Sequence, residues 1–326
     1  MSAPAREACL DAEVTDTRWP EIPYEAWRDT CAGLHLYMQI AGKYRLARTP
    51  WINHSWHAVF YVDARGFTSS LIPDGPGGVE IRFDLLDHKV IGNAVDGRVA
   101  EFTLGPMSVA EFHRRFRDLV RAIGGHPEFH GSPNEVPNPV PFVEDRAQRP
   151  YAAEAVTRFF HAAVAVDRVL KQFRTAYLGK VSPVHLFWGS FDLAVTRFSG
   201  RRAPLHPGGI PALPDEVTRE AYSHEVSSAG FWPGGGGVID FPAFYSYAYP
   251  APDGFADARI GPDAAYYEKR LGEFLLPYEA VRLASDPEAT VIEFLESTYR
   301  AAADLGGWDR AALECEPGIP RRPRRL

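Results

Sequence analysis

The chain has 326 residues, 45% of them hydrophobic and 24% charged, with a formal net charge of −7 at pH 7. That length buries a sizeable core in one or two domains, and the acidic balance excludes a nucleic-acid surface, which needs basic residues against phosphate. The three cysteines (Cys9, Cys31, Cys315) lie far apart with no CxxC, which excludes a disulfide framework and a thiolate zinc site and fits a reducing cytoplasm.

Residues 1–18 read as a loose arm that carries acids and no apolar segment, so no signal peptide is expected there. Trp19-Pro20 and Pro23 mark a turn. A helix from about Tyr24 to Gly42 follows, with Trp27, Leu34, Tyr37, Met38 and Ile40 near helical spacing and Gly42 as its C-cap. After Thr49-Pro50 the period changes to two. Strands are expected at His57–Val62, Gly66–Ile72, Val79–Leu85, His88–Asn93 and Val99–Leu104, an antiparallel meander punctuated by Gly77-Gly78, Asp87 and Asp96-Gly97. Ser108 with Glu111 makes a capping box for a helix ending at Gly124-Gly125. Residues 127–150 are Pro-rich; proline locks φ and removes a donor, so this is a connector.

The second half opens with a helix from about Ala152 to Leu178. Strands follow at His185–Phe198 (bulged at Gly189), Glu225–Phe231, Phe244–Tyr249 and Glu273–Leu276. The insert from Arg201 to Glu220 is a Pro/Gly loop with a short helix near Glu216. A last helix spans Glu288–Leu305, before Gly306-Gly307 and a turn from Trp308 to Leu313. The basic residues Arg321–Arg325 close a Pro-rich tail read as a solvated end. No run reaches the roughly 18 apolar residues of a spanning helix, so no membrane partner is expected.

The halves resemble each other in order: helix, strands, helix. Ser108-Val-x-Glu-Phe112 is matched by Thr290-Val-x-Glu-Phe294, each followed by a helix and a double glycine. The expected fold is therefore α+β, two related halves, each an antiparallel sheet flanked by helices, from an internal duplication. The expected boundaries are 19–126 and 151–313, joined by the 127–150 connector and followed by the 314–326 tail.

The segments SPVHLFWGSFDLAVTRFSGRRAP (182–204), AYSHEVSSAGFWPGGGG (221–237) and TPWINHSWHAVFYV (49–62) resemble a family of bacterial proteins filed as domain of unknown function 5996. The resemblance covers Trp19 to Leu313. It implies a bacterial origin and carries no activity, cofactor or catalytic residue.

Residues 180–237 interleave histidines, acids and arginines with aromatics, the composition of a small-molecule pocket. His54 and His57 in NHSWH suit either metal ligation or a structural pair; three apart, they sit on opposite faces of a regular strand. His185 and Asp192, seven apart, share a face only if Gly189 shifts the parity, which would join them to Ser190. His224-Glu225 is the strongest candidate for catalysis or, with His54 and His57, for a divalent transition metal, although there is no HExxH. Arg197 is a candidate clamp for a carboxylate or phosphate. Trp188 and Trp232 are candidate walls, and Tyr245, Tyr247 and Tyr249 share one strand face. Gly234–Gly237 lacks a phosphate-loop pattern and reads as a loop or lid. Two functions stand on these residues: a small-molecule-binding protein with metal-assisted or acid–base chemistry at His185, Asp192, His224 and Glu225, or a ligand-binding or interaction protein without chemistry.

Overall fold

The computed structural model describes residues 18–235 and 239–324. Most of the N-terminal arm, Cys9, Gly236, Gly237 and Arg325 lie outside them. Helix α1 (Tyr24–Arg48) is central: Leu34, Met38, Ile40, Ala41 and Tyr44 are wholly buried along it. It runs past Gly42, the expected C-cap, because that glycine answers a packing demand. A Cβ on Gly42 would lie 2.3 Å from Cδ1 of Trp188, so the indole packs directly on the helix backbone.

Strands β1 (Tyr61–Val62), β2 (Gly66–Ile72), β3 (Val79–Asp84), β4 (Lys89–Ala94) and β5 (Val99–Thr103) form the expected meander, in sequence order and antiparallel. The first strand is shorter than its alternation implied. Asn53–Ser55 is a 3-10 turn with His54 and Ser55 at φ 59° and 57°, and the ladder starts only at Tyr61. After β6 (Met107–Ser108), Ser108 caps α2 (Val109–Ala122), its hydroxyl accepting from Glu111 N–H at 3.1 Å. Phe112 of α2 stacks on Tyr37 of α1 with ring centroids 4.3 Å apart. The Pro-rich segment carries no helix; its one short strand, β7 (Gln148–Arg149), pairs with β6.

Helix α3 (Ala153–Thr175) leads to β8 (His185–Phe187) and β9 (Asp192–Arg202). The bulged strand expected across Gly189 is in fact a hairpin: His185 pairs with Ala194 and Phe187 with Asp192 around a turn at residues 188–191. Then come α4 (Asp215–Ala221), β10 (His224–Trp232), β11 (Ala243–Tyr249), β12 (Tyr266–Glu268), β13 (Glu273–Pro277), α5 (Tyr278–Arg282), α6 (Pro287–Leu305) and α7 (Arg310–Leu313). The second sheet runs β12-β13-β11-β10-β9-β8, all antiparallel. Thr290, matched by sequence to the cap Ser108, sits inside α6 and donates to Asp286 O at 2.8 Å. The cap is Asp286, which accepts from Ala289 N–H at 3.0 Å. The matched segments of the two halves therefore sit at different depths in their helices.

The fold is mixed, with antiparallel sheets and helices. The sheets meet edge to edge where Phe60 and Leu186 exchange backbone hydrogen bonds of 3.0 and 2.8 Å. Apolar side chains from both halves fill one continuous core. On the six-stranded sheet, α3 and α6 cover the face of Leu193, Val195 and Arg197. The opposite face carries Asp192, Ala194 and Thr196 and floors a cleft.

Candidate functional site

Pairing register builds the floor. Thr196 lies opposite Ser228, which lies opposite Tyr247; Ala194 lies opposite Gly230, which lies opposite Tyr245. Paired residues share a face, as do residues two apart along a strand, so Asp192, Thr196, Ser228, Tyr245 and Tyr247 come to one surface. Tyr245 leans across β10 and its hydroxyl donates to Asp192 Oδ2. Gly230 makes that reach possible, since a Cβ there would lie 2.6 Å from the Tyr245 hydroxyl oxygen. Ser190, on the turn between β8 and β9, donates to the other oxygen, Asp192 Oδ1, at 2.5 Å. Trp232 stacks on Tyr245 at 4.4 Å, and Tyr222 from the end of α4 shares a hydrogen bond of 2.9 Å with Tyr247.

Two chambers open over this floor. The outer one, of about 860 Å³, lies between α1, the 133–142 loop and Trp232; the inner one, of about 190 Å³, lies between β8–β11 and α4. Glu135, Ser190 and Ile210 line both. Glu135 comes from the Pro-rich segment, at φ 57°, and its backbone N–H donates to Pro211 O at 3.3 Å. Its carboxylate occupies the notch left by Gly189, where a Cβ would lie 2.1 Å from Glu135 Oε1. That carboxylate has no hydrogen-bond or ion-pair partner among the described residues.

Burial dominates the electrostatics. It raises Asp192, against the pull of its two hydroxyl donors. Burial and then the Asp192 charge lift Glu135 to about 7, with Lys43 opposing, and lift Glu273 to about 8. Taking a carboxylate out of water favours its neutral form, and no arginine stands beside these three to reverse that. Burial works the other way on bases: His35 and His185 fall to about 4. His35 lies in the outer wall beside carbonyls of Trp188 (3.0 Å) and Gly189 (2.9 Å). The site thus holds neutral imidazoles, a carboxyl group, Glu135, lifted to about 7, and a second, Asp192, raised by burial.

His54, His185, Asp192 and Tyr247 line the inner chamber and Trp232 the outer one, as candidates drawn from the sequence. His185 reaches Asp192's face through the hairpin rather than through a bulge. Arg197, Trp188, Glu225, His224 and His57 line neither chamber. Arg197 is on the helix side of the sheet, 1% exposed, its guanidinium 3.5 Å from the Phe173 ring and 3.1 Å from Glu296 Oε1. An odd-numbered residue of β9 cannot face the cleft beside Asp192, so the expected anion clamp is a core ion pair. Trp188 points toward α1 and donates to Ala58 O at 2.7 Å. Glu225 pairs with Arg201 at 2.7 Å. His224 contacts Ser223 Oγ at 3.1 Å and lines neither chamber.

The expected metal set does not assemble. His57 accepts from Ile52 N–H at 3.1 Å and packs on Trp51, while His54 Nε2 accepts from Lys180 Nζ at 2.5 Å, which occupies its lone pair. Among the described residues no three His, Cys, Asp or Glu side chains are grouped to hold a metal ion. Sequence reasoning does not single out Glu135, because a Pro-rich stretch reads as linker, nor Glu273, at the start of a short strand. The signal that points to Glu135 is Gly189, whose missing side chain leaves room for that carboxylate.

The chain belongs to a family of unknown function, DUF5996, whose model matches residues 19–315. No curated protein and no solved structure matches it. No helix among the described residues is long and apolar enough to cross a membrane.

Proposed function

With the family's description naming no activity, we propose from the cleft itself that the protein binds a small organic molecule there and exchanges a proton with it through Glu135. One observation carries this reading: an unpartnered carboxylate on the wall common to both chambers, titrating at about 7. A general acid or base works best when its pKa lies near the working pH, and perturbed carboxyls in a cleft favour a functional site. The outer chamber falls within the range of small-molecule sites and its walls, including Phe142, Phe191 and Trp232, supply desolvation. Asp192, fixed by Ser190 and Tyr245, orients the polar end of the ligand and sustains the raised pKa of Glu135 by its charge.

The test is a ligand-observed NMR screen of ring-bearing fragments against the wild type, Trp232→Ala and Glu135→Gln. Fragments that bind the wild type should lose roughly tenfold or more in affinity to Trp232→Ala, the cost of a buried aromatic wall. Affinities unchanged in both folded variants would put the binding site elsewhere and overturn the reading.

A further inference from the structure

The ligand's charge follows from what the chambers hold and what they lack. Four ionisable acid or cation side chains line the outer chamber or its junction: Glu135, Asp145, Arg149 and, beyond Ser190, Asp192. Arg149 pairs with Asp145 at 2.6 Å through one terminal nitrogen, while its buried Nε has no partner. Glu135 and Asp192 have no arginine or lysine bonded to them, and the lining histidines His35, His54 and His185 are held neutral by burial. Lys43 is tied to Asn134 Oδ1, lies 5.5 Å from the Trp188 ring and lines neither chamber. Beside the two carboxyls stand the stacked rings of Trp232 and Tyr245, whose faces carry negative charge density. An anion held between Glu135 and Asp192 would meet repulsion from both acids, and no arginine or lysine is bonded to either. A neutral alcohol would leave one carboxylate oxygen of Glu135 without a charged counterpart.

We infer that the molecule bound in this cleft is an organic cation, a protonated amine attached to an aromatic or other apolar body, with its nitrogen between Glu135 and Asp192. The inference rests on the proposed binding at this cleft and adds the chemical class of the ligand. The apolar body fills the outer chamber against Phe142 and Trp232, and the ammonium donates to the unpartnered Glu135 carboxylate. A charge-assisted bond of that kind is roughly twice as strong as a neutral one. Binding of the cation favours ionised Glu135, so it releases a proton, and affinity rises with pH up to about 7 and levels off above it.

The experiment compares 2-phenylethylamine, 2-phenylethanol and 3-phenylpropionate by isothermal titration calorimetry at pH 6 and pH 8, in two buffers of different ionisation enthalpy. The expected result is amine binding at least ~10-fold tighter than the alcohol at pH 8, weaker amine binding at pH 6, and proton release. Glu135→Gln and Asp192→Asn should each bring amine and alcohol within about threefold of each other while both proteins keep the wild-type circular dichroism. The alcohol or carboxylate binding as tightly as the amine, with Trp232→Ala weakening it, would overturn the cation and leave the cleft-binding reading standing. No binding by any of the three, while neutral fragments still depend on Trp232, would do the same. No binding by the three or by any fragment would overturn both.

Discussion

Glu135 is the residue where position and chemistry are most tightly linked. Its carboxyl lies in a protein notch, so the folded chain holds its proton more firmly than the unfolded chain does. The sign follows from linkage: between the ordinary glutamate value of 4.5 and the folded value of about 7 the native state binds more protons, and stability falls as pH rises through that window. Glu273 extends the same trend to about 8. The buried histidines oppose it at lower pH, since His35 and His185 cost stability until pH passes about 6.5. Glu135→Gln should therefore be more stable than the wild type at pH 8.5, by ~1 kcal/mol or more, with the gain vanishing at pH 4.5. Urea titrations at the two pH values check this. An equal difference at both would mean that Glu135 is not burial-shifted.

At the scale of elements, the hairpin β8–β9 and the helix caps decide what the sequence left open. A four-residue turn with Phe191 at φ 60° reverses the chain where a bulge was expected. It brings His185 and Asp192 to one face and sends Arg197 to the other. Helix α6 carries a second lesson. Asp286, with Pro287 at the first helical position, outcompetes Thr290 as the cap because it precedes the helical backbone, where its carboxylate can accept from Ala289 N–H. Asp286→Ala should cost about 1 kcal/mol, whereas Thr290→Ala, removing only a hydroxyl bonded back to the preceding turn, should stay within ~0.5 kcal/mol. Thermal unfolding of the two variants separates them; equal losses would contradict the cap assignment.

For the whole molecule, the edge-to-edge junction at Phe60 and Leu186 and the continuous core bind the two sheets into one packed unit. Apolar burial that crosses from half to half couples their unfolding. Differential scanning calorimetry should accordingly give one transition with matching calorimetric and van't Hoff enthalpies. Two resolved transitions would mean that the halves unfold independently. The cleft depends on this unity, since α1 and the 133–142 loop come from the first part of the chain and the floor from the second.

Local signals in the sequence determined much of the scaffold: the periodicities that place α1, α2, α3 and α6, the glycine turns of the first meander, and the Ser108 cap. Those features depend on residues a few positions apart, and short-range patterns suffice for them. Strand alternation also made Tyr245 and Tyr247 cofacial. Only the tertiary structure decided the site. Glu135 meets Gly189 across some fifty residues of chain, Tyr245 reaches Asp192 across the same distance through the gap at Gly230, and Gly42 serves Trp188 rather than a helix end. A glycine in sequence reads as a turn or a cap because local backbone freedom is all that sequence registers. What these three glycines provide is space for a distant side chain, and that need exists only once the chain has folded.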